Sequence, residues 1–320
     1  MTSKLRELPI KNAWTLLVTA ALSTLLLAGC TGRALPQLPP SSNSVAVADR
    51  LTGPDGDKFL GDVVSASWSD GGREAAQVFA WIPQDALSTD EAAAVRAGSS
   101  AHAVASYIAD NRQSVAGLPA NPALWQSLSR VLIPYLGAMI GDATEVAGFE
   151  PLDGPRSQMR RTSALFAAMD KDPDAIRALT DAASQRAKNY GASFAASAVA
   201  DPATADRGDA QRQLNLAARL RSLVDTGAHL ADPEREAPAP AHAQTEIGYQ
   251  VVSLTAKPGD PHIDARFFRA GRLLSPSEIP ESEWSLYDSQ MTVYLAPWPR
   301  ILDAIRQFGD TYNLIASGQQ

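Results

Sequence analysis

A single cysteine, Cys30, occurs in 320 residues. The rest of the chain therefore has no thiol for a disulfide, a thiolate metal site or a cysteine nucleophile. Stability has to come from apolar burial, for which this length is ample. Histidine is nearly as scarce, and His102, His229, His242 and His262 stand far apart in the sequence. A catalytic triad needs a nucleophile, a base and an orienting group within hydrogen-bond reach. Neither Gly-x-Ser-x-Gly nor Ser-x-x-Lys stands near any of the four. Basic residues number 28 against 35 acidic ones. That balance leaves no concentrated positive face of the kind nucleic acid requires, so no nucleic-acid partner is expected. It also gives no charge-driven affinity for anionic lipid. Aromatic residues make up only 7% of the chain, and long alternating runs are missing. Abundant alanine favours helix over sheet.

One long apolar run is present. Lys4, Arg6 and Lys11 precede the uncharged stretch Ala13 to Leu27, and the small residues Ala28 and Gly29 lead to Cys30. Basic, apolar and small-residue segments in that order form a secretory signal peptide over residues 1–29. The run is short for a membrane-spanning helix, which needs about 20 apolar residues. Leu27-Ala28-Gly29-Cys30 resembles the bacterial lipobox. That resemblance implies cleavage before Cys30, a diacylglycerol thioether on its sulfur and further acylation of the palmitate type. It places the mature chain at the cell membrane, lipid-anchored on the extracytoplasmic side, with the membrane as partner through Cys30. Two acyl chains give stable anchoring where one does not. Removal of the signal takes away three basic residues and Glu7, which leaves a net charge of −9.

The mature sequence divides by composition. Residues 30–57 are rich in Pro, Ser and Gly and read as a flexible tether. Residues 58–231 read as a helical domain and 232–247 as a Pro-rich linker or loop. Residues 248–320 read as a C-terminal helical region packing on the first. The expected fold is all-α, a bundle or array of about ten helices after the disordered tether. A helix over 73–82 is stopped by Pro83. Ser88-x-x-Glu91 has the form of a capping box for a short helix to Ala97, and Ser99 or Ser100 opens another to about Val115. Asn121-Pro122 starts the most consistently apolar stripe, from Leu124 to Ile140, with a kink at Pro134. Helices follow over 158–169, from Asp172-Pro173 to Ala198 with a bend at Gly191, and from Asp209 to Leu230. The remaining expectations are an apolar segment over 245–255, a helix over 263–274, an element over 284–295 and a helix over 300–315.

The stretches VVSASWSDGGREAAQVFAWI, AVRAG, AVASYIAD, NPALWQSLSRVLIPYLGAMIGD, GFEPLD, LFAAMDKDPDAIRAL and LNLAARLRSLVDTGA occur in this order. Together they resemble the actinobacterial, often mycobacterial, helical proteins named as TPR repeat region-containing. The resemblance covers residues 58–230 and implies an all-helical, protein-binding scaffold, in some relatives beside type VII secretion components or polymorphic toxins. It carries over no catalytic residue. No 34-residue tetratricopeptide period is visible. The chain also has no Tyr-x-x-x-Asp/Glu, the tail signal of type VII substrates, so export by the general route is expected.

The remaining polar motifs read as structure. Asp260, His262 and Asp264 have the residue types of a metal site, but Pro258, Gly259 and Pro261 make that stretch an exposed loop. Asp170, Asp172 and Asp174 imitate half an EF-hand, yet its sixth and twelfth places hold Ala175 and Asp181 instead of Gly and Glu. Asp70-Gly71-Gly72 lacks the Lys-Ser/Thr of a phosphate loop and reads as a turn between Trp68 and Trp81, which belong to the core. No metal or cofactor is expected. The C-terminal third is the most aromatic, with Trp284, Tyr287, Tyr294, Trp298 and Tyr312. Trp284, Tyr287 and Trp298 are the candidate partner surface, because exposed aromatics mark docking sites. The function expected is a non-enzymatic cell-envelope interaction protein with a protein partner, linked to secretion or toxin systems. The alternatives are a small-ligand or lipid carrier and an envelope hydrolase without a recognisable motif.

Overall fold

A computed structural model describes residues 35–154 and 156–319. Cys30, the signal peptide and the first part of the expected tether lie outside these described residues. The helices are α1 (Ser44–Thr52), α2 (Gly56–Ser65), α3 (Arg73–Gln77), α4 (Ile82–Asp85), α5 (Glu91–Asp110), α6 (Arg112–Ala116), α7 (Pro122–Leu132), α8 (Leu136–Met139), α9 (Arg160–Ala168), α10 (Pro173–Ala200), α11 (Gly208–Ala231), α12 (Ala241–Val252), α13 (Trp284–Leu295) and α14 (Pro299–Ala316). One hairpin, β1 (Phe268–Arg269) with β2 (Arg272–Leu273), is the only sheet among the described residues. The fold is all-α.

The two longest helices, α10 and α11, share the most extensive interface. Helices α7 and α12 pack on α10, and α9 and α14 pack on α11. Buried Leu179, Ala183, Ala187 and Phe194 of α10 recur at helical spacing, as do Leu214, Ala217, Leu220 and Leu223 of α11. Asp172 caps α10 by accepting from the Asp174 and Ala175 amides at 3.1 and 2.9 Å, and Pro173 fills the first turn, where its missing N–H costs nothing. Pro134 does interrupt its helix: a 3-10 turn, Ile133–Tyr135, joins α7 to α8.

Several elements differ from the sequence expectation. The tether is folded from Ser44 onward, because α1 buries Val47, Ala48 and Leu51 against α5 and α2. The 73–82 helix is two short pieces, and Pro83 sits in the first turn of α4, where proline is tolerated. Helix α5 runs unbroken through Gly98, Ser99 and Ser100. Its cap is Asp90, whose carboxylate accepts from the Ala92 and Ala93 amides; Ser88 only accepts from the Asp90 amide. Helix α10 continues through Gly191, whose missing Cβ makes room for Gln250 and Ile247 of α12. The linker ends at Pro240. The 263–274 helix is a 3-10 turn, Ala265–Phe267, followed by the hairpin. Its two turn residues, Ala270 and Gly271, both have positive φ, 51° and 81°, the backbone of a type I′ turn and incompatible with a continuing helix.

The C-terminal helices join the same core. Ser222 donates to the Tyr312 carbonyl at 2.8 Å, Tyr312 donates to Asp225 at 2.8 Å, and Arg300 pairs with Asp206 at 2.6 Å. Residues Pro36–Gln320 form one compact unit.

Candidate interaction groove

Helices α12, α13 and α14 border an open groove of about 400 Å³. Its floor is Met291 and Leu295, which are buried, with Leu302 and Ile305, which are half-buried. Its rim carries Glu281, Trp284 and Asp288, spaced so that successive turns leading into and along α13 present them on one side. From α12 come His242, Thr245 and Gly248. The His242 ring lies 4.1 Å from that of Trp284, tilted by 46°. The buried Thr245 hydroxyl donates to Asp288 Oδ1 at 2.5 Å and so fixes that carboxylate. No Lys or Arg lines the groove. Neither Glu281 nor Asp288 forms an ion pair among the described residues; the nearby Arg266 is taken by Asp264 and Glu283.

The three aromatics picked from sequence do not share one surface. Trp284 lines the groove. Trp298 is half-buried at the start of α14, 5.8 Å from the Tyr294 ring. Tyr287 is fully buried and cannot meet a partner. Its hydroxyl donates to the Leu274 carbonyl at 2.6 Å and its ring stands edge-on to Phe267. It anchors the hairpin to α13, and burial pushes its phenol well above the ordinary range. Tyr294 and Tyr312 are likewise buried and bonded, to Thr255 and Asp225. Position along α13 explains the split: Tyr287, Met291 and Tyr294 face inward, while Leu286 and Val293 are exposed. Apolar residues surround this helix, so composition alone could not choose its face.

The other polar motifs are consumed by local structure. Asp260 accepts from the His262 amide and Asp264 from the Arg266 amide. Among the described residues no group of three His, Cys, Asp or Glu is placed to hold a metal. Asp70 accepts from the Gly72 and Glu74 amides, which keeps its carboxyl below the ordinary value, the Glu74 bond being the largest cause. Trp68 and Trp81 are core residues. His102 Nδ1 lies 2.6 Å from the Glu150 carbonyl, and Ser106 Oγ lies 3.2 Å from Nε2. A cleft beside His102 is lined by Leu51, Pro54, Ala103 and Gly148, but Ser106 is not part of it. His102 therefore latches the 147–153 segment to α5, with Ser106 bonding its other ring nitrogen and Ser99 donating to the Gly148 carbonyl in the same row.

One buried network had no signature in the sequence. Tyr190 donates to Asp142 at 2.7 Å, Thr144 donates to the same carboxylate at 2.9 Å, and Arg186 donates to Tyr190 and to Glu145. Burial opposes ionisation of Asp142, but these hydroxyls and Arg212 outweigh it and hold the carboxyl below its ordinary value. Burial, then the bond to Asp142, pushes the Tyr190 phenol up to about 12. Residues 48 apart in sequence meet here, and only the fold brings them together.

With the geometry in place, the chain can be set beside known proteins. The family described as TPR repeat domain matches residues 40–81. The matched stretch holds α1, α2 and α3, and begins inside the segment that composition alone reads as tether. Helices α1 and α2 are joined by a three-residue turn, the helix–turn–helix that TPR units consist of. No curated protein matches this chain. No solved structure matches it either. The likeness is confined to that stretch, well under half of the chain.

Proposed function

We propose that this protein is an exported lipoprotein, anchored through Cys30 at the outer side of the cell membrane, that holds a protein partner without catalysis. The single observation that carries the interaction reading is the groove of α12–α14, which presents an aromatic and two unneutralised carboxylates over an apolar floor. The lipid anchor rests on the LAGC sequence after an uncharged run, and service to secretion or toxin systems rests on the resemblance of residues 58–230. The test is a photo-cross-linker placed at Thr292, an exposed rim position, in cells expressing either the native chain or Cys30→Ala. The native chain should fractionate with membranes, carry labelled fatty acid and give a discrete protein adduct. The Cys30→Ala chain should lose the fatty acid. Fatty-acid labelling that survives Cys30→Ala sinks the anchor, and the absence of any adduct sinks the interaction reading.

A further inference from the structure

We infer that the groove between α12, α13 and α14 selects a basic amphipathic helix, one with Lys or Arg two turns apart and apolar residues between them. This rests on the interaction reading above and names the chemistry of the partner.

Length sets the size of the partner. The exposed rim residues Glu281 and Thr292 stand eleven residues apart, about 16 Å at the rise of a helix. A partner helix of about three turns matches that length. Helix-in-groove docking uses apolar anchors on one face of the incoming helix. Leu302 and Ile305 of α14, both half-buried, offer the matching floor, backed by the buried Met291 and Leu295.

Charge decides the sign of the partner. The groove has two carboxylates and no Lys or Arg in its lining. Thr245, itself buried, fixes Oδ1 of Asp288, and Oδ2 has no hydrogen-bond partner among the described residues. Glu281 stands seven residues before Asp288, about 10 Å along a helix axis. Basic residues at i and i+7 of a helix laid along α13 have the same separation. Trp284 lies between the two acids, and an indole face attracts an ammonium or guanidinium group. The chain as a whole carries a net charge of −7, which favours encounter with a basic partner and slows encounter with an acidic one.

The experiment uses the purified full chain and three synthetic 18-residue helical peptides labelled with a fluorophore. One carries Lys at i and i+7 with Leu between; the second replaces both Lys by Glu; the third moves the second Lys to i+5, off that face. Anisotropy titration should show binding of the first peptide, at least about tenfold weaker binding of the third, and none of the second. Glu281→Gln/Asp288→Asn should weaken the first peptide about tenfold, while Asp49→Asn/Glu91→Gln, equal in charge and remote, leaves it unchanged. These are exposed positions, so the variants test charge without depending on the refolding of Trp284→Ala. Equal binding of the Lys and Glu peptides, or equal loss in both double variants, overturns the proposal. If the Thr292 adduct forms in cells and persists in Glu281→Gln/Asp288→Asn, the basic-helix assignment fails and the interaction reading stands. If neither adduct nor peptide binding occurs, both fall.

Discussion

Asp142 shows how a single residue ties separate parts of this protein together. Its carboxylate is 8% exposed and receives hydroxyls from Tyr190 and Thr144, with Arg212 at 3.8 Å. A buried acceptor that loses its donor costs about 1–3 kcal/mol, so Tyr190→Phe should destabilise the fold by that amount in chemical denaturation. The pH dependence has a definite sign. The folded carboxyl titrates below its ordinary value of 3.8, so the stabilisation is full above that value and is lost as pH falls through the lower, folded one. The native chain should lose this contribution below about pH 4. Asp142→Asn should flatten that part of the pH profile, and a slope unchanged by the substitution would show that other carboxylates carry it. The sequence gives no hint of this network, because its members are close only after α10 and the 140–145 loop are packed. Trp284 and Tyr287 make the same point on one helix. Both are aromatic and three residues apart, yet one lines a groove and the other is a core hydrogen-bond donor.

At the scale of the element, caps and prolines were the readable signals, and close packing was not. Asp172-Pro173 marks its helix start because capping is a local event; Asn121-Pro122 marks one through its proline, while the Asn121 side chain makes no cap bond and instead donates to the Ala66 carbonyl. Helix α5 has the opposite lesson. Gly98-Ser99-Ser100 looks like a break, since glycine lowers helix propensity by about 1 kcal/mol relative to alanine. The helix continues because Gly98 lets the 147–149 backbone lie directly on it: a Cβ there would stand 1.9 Å from the Ala147 carbonyl oxygen and 2.7 Å from the Phe149 nitrogen. Two effects therefore oppose each other in Gly98→Ala. The gain in propensity is about 1 kcal/mol, whereas displacing packed backbone costs about 1–3 kcal/mol, as overpacking does elsewhere. The variant should be less stable despite the better helix former, with a lowered Tm and faster hydrogen exchange across Ser99, His102 and Ser106, where the latch to the 147–153 segment sits. A raised Tm would mean that the segment yields freely.

At the scale of the molecule, the all-α class follows from composition, but the start of the folded unit does not. Residues 41–57 contain enough Ser, Gly, Pro and Asp to resemble a spacer, and a nine-residue helix gives too short a stripe to stand out against them. Val47, Ala48 and Leu51 nevertheless fall on one face. Val47 is fully buried and Leu51 is 2% exposed, against α5 and α2. The two readings of this stretch differ in a measurable way. In a flexible tether, Leu51→Ala removes one exposed side chain and changes stability by less than about 0.5 kcal/mol. In a helix packed on the core it deletes buried methyl groups and costs about 2–5 kcal/mol. We expect the larger value, read as a shift in the denaturation midpoint at an unchanged slope, since the surface exposed on unfolding stays nearly the same. The same substitution bears on how the domain meets the membrane. If α1 is part of the core, the chain between Cys30 and the folded unit is shorter than composition suggests. At about 3.5 Å per residue, the 14 residues from Cys30 to Ser44 reach no more than about 49 Å, half the reach of a spacer that runs to residue 57, and a neutral Leu51→Ala would restore the longer spacer.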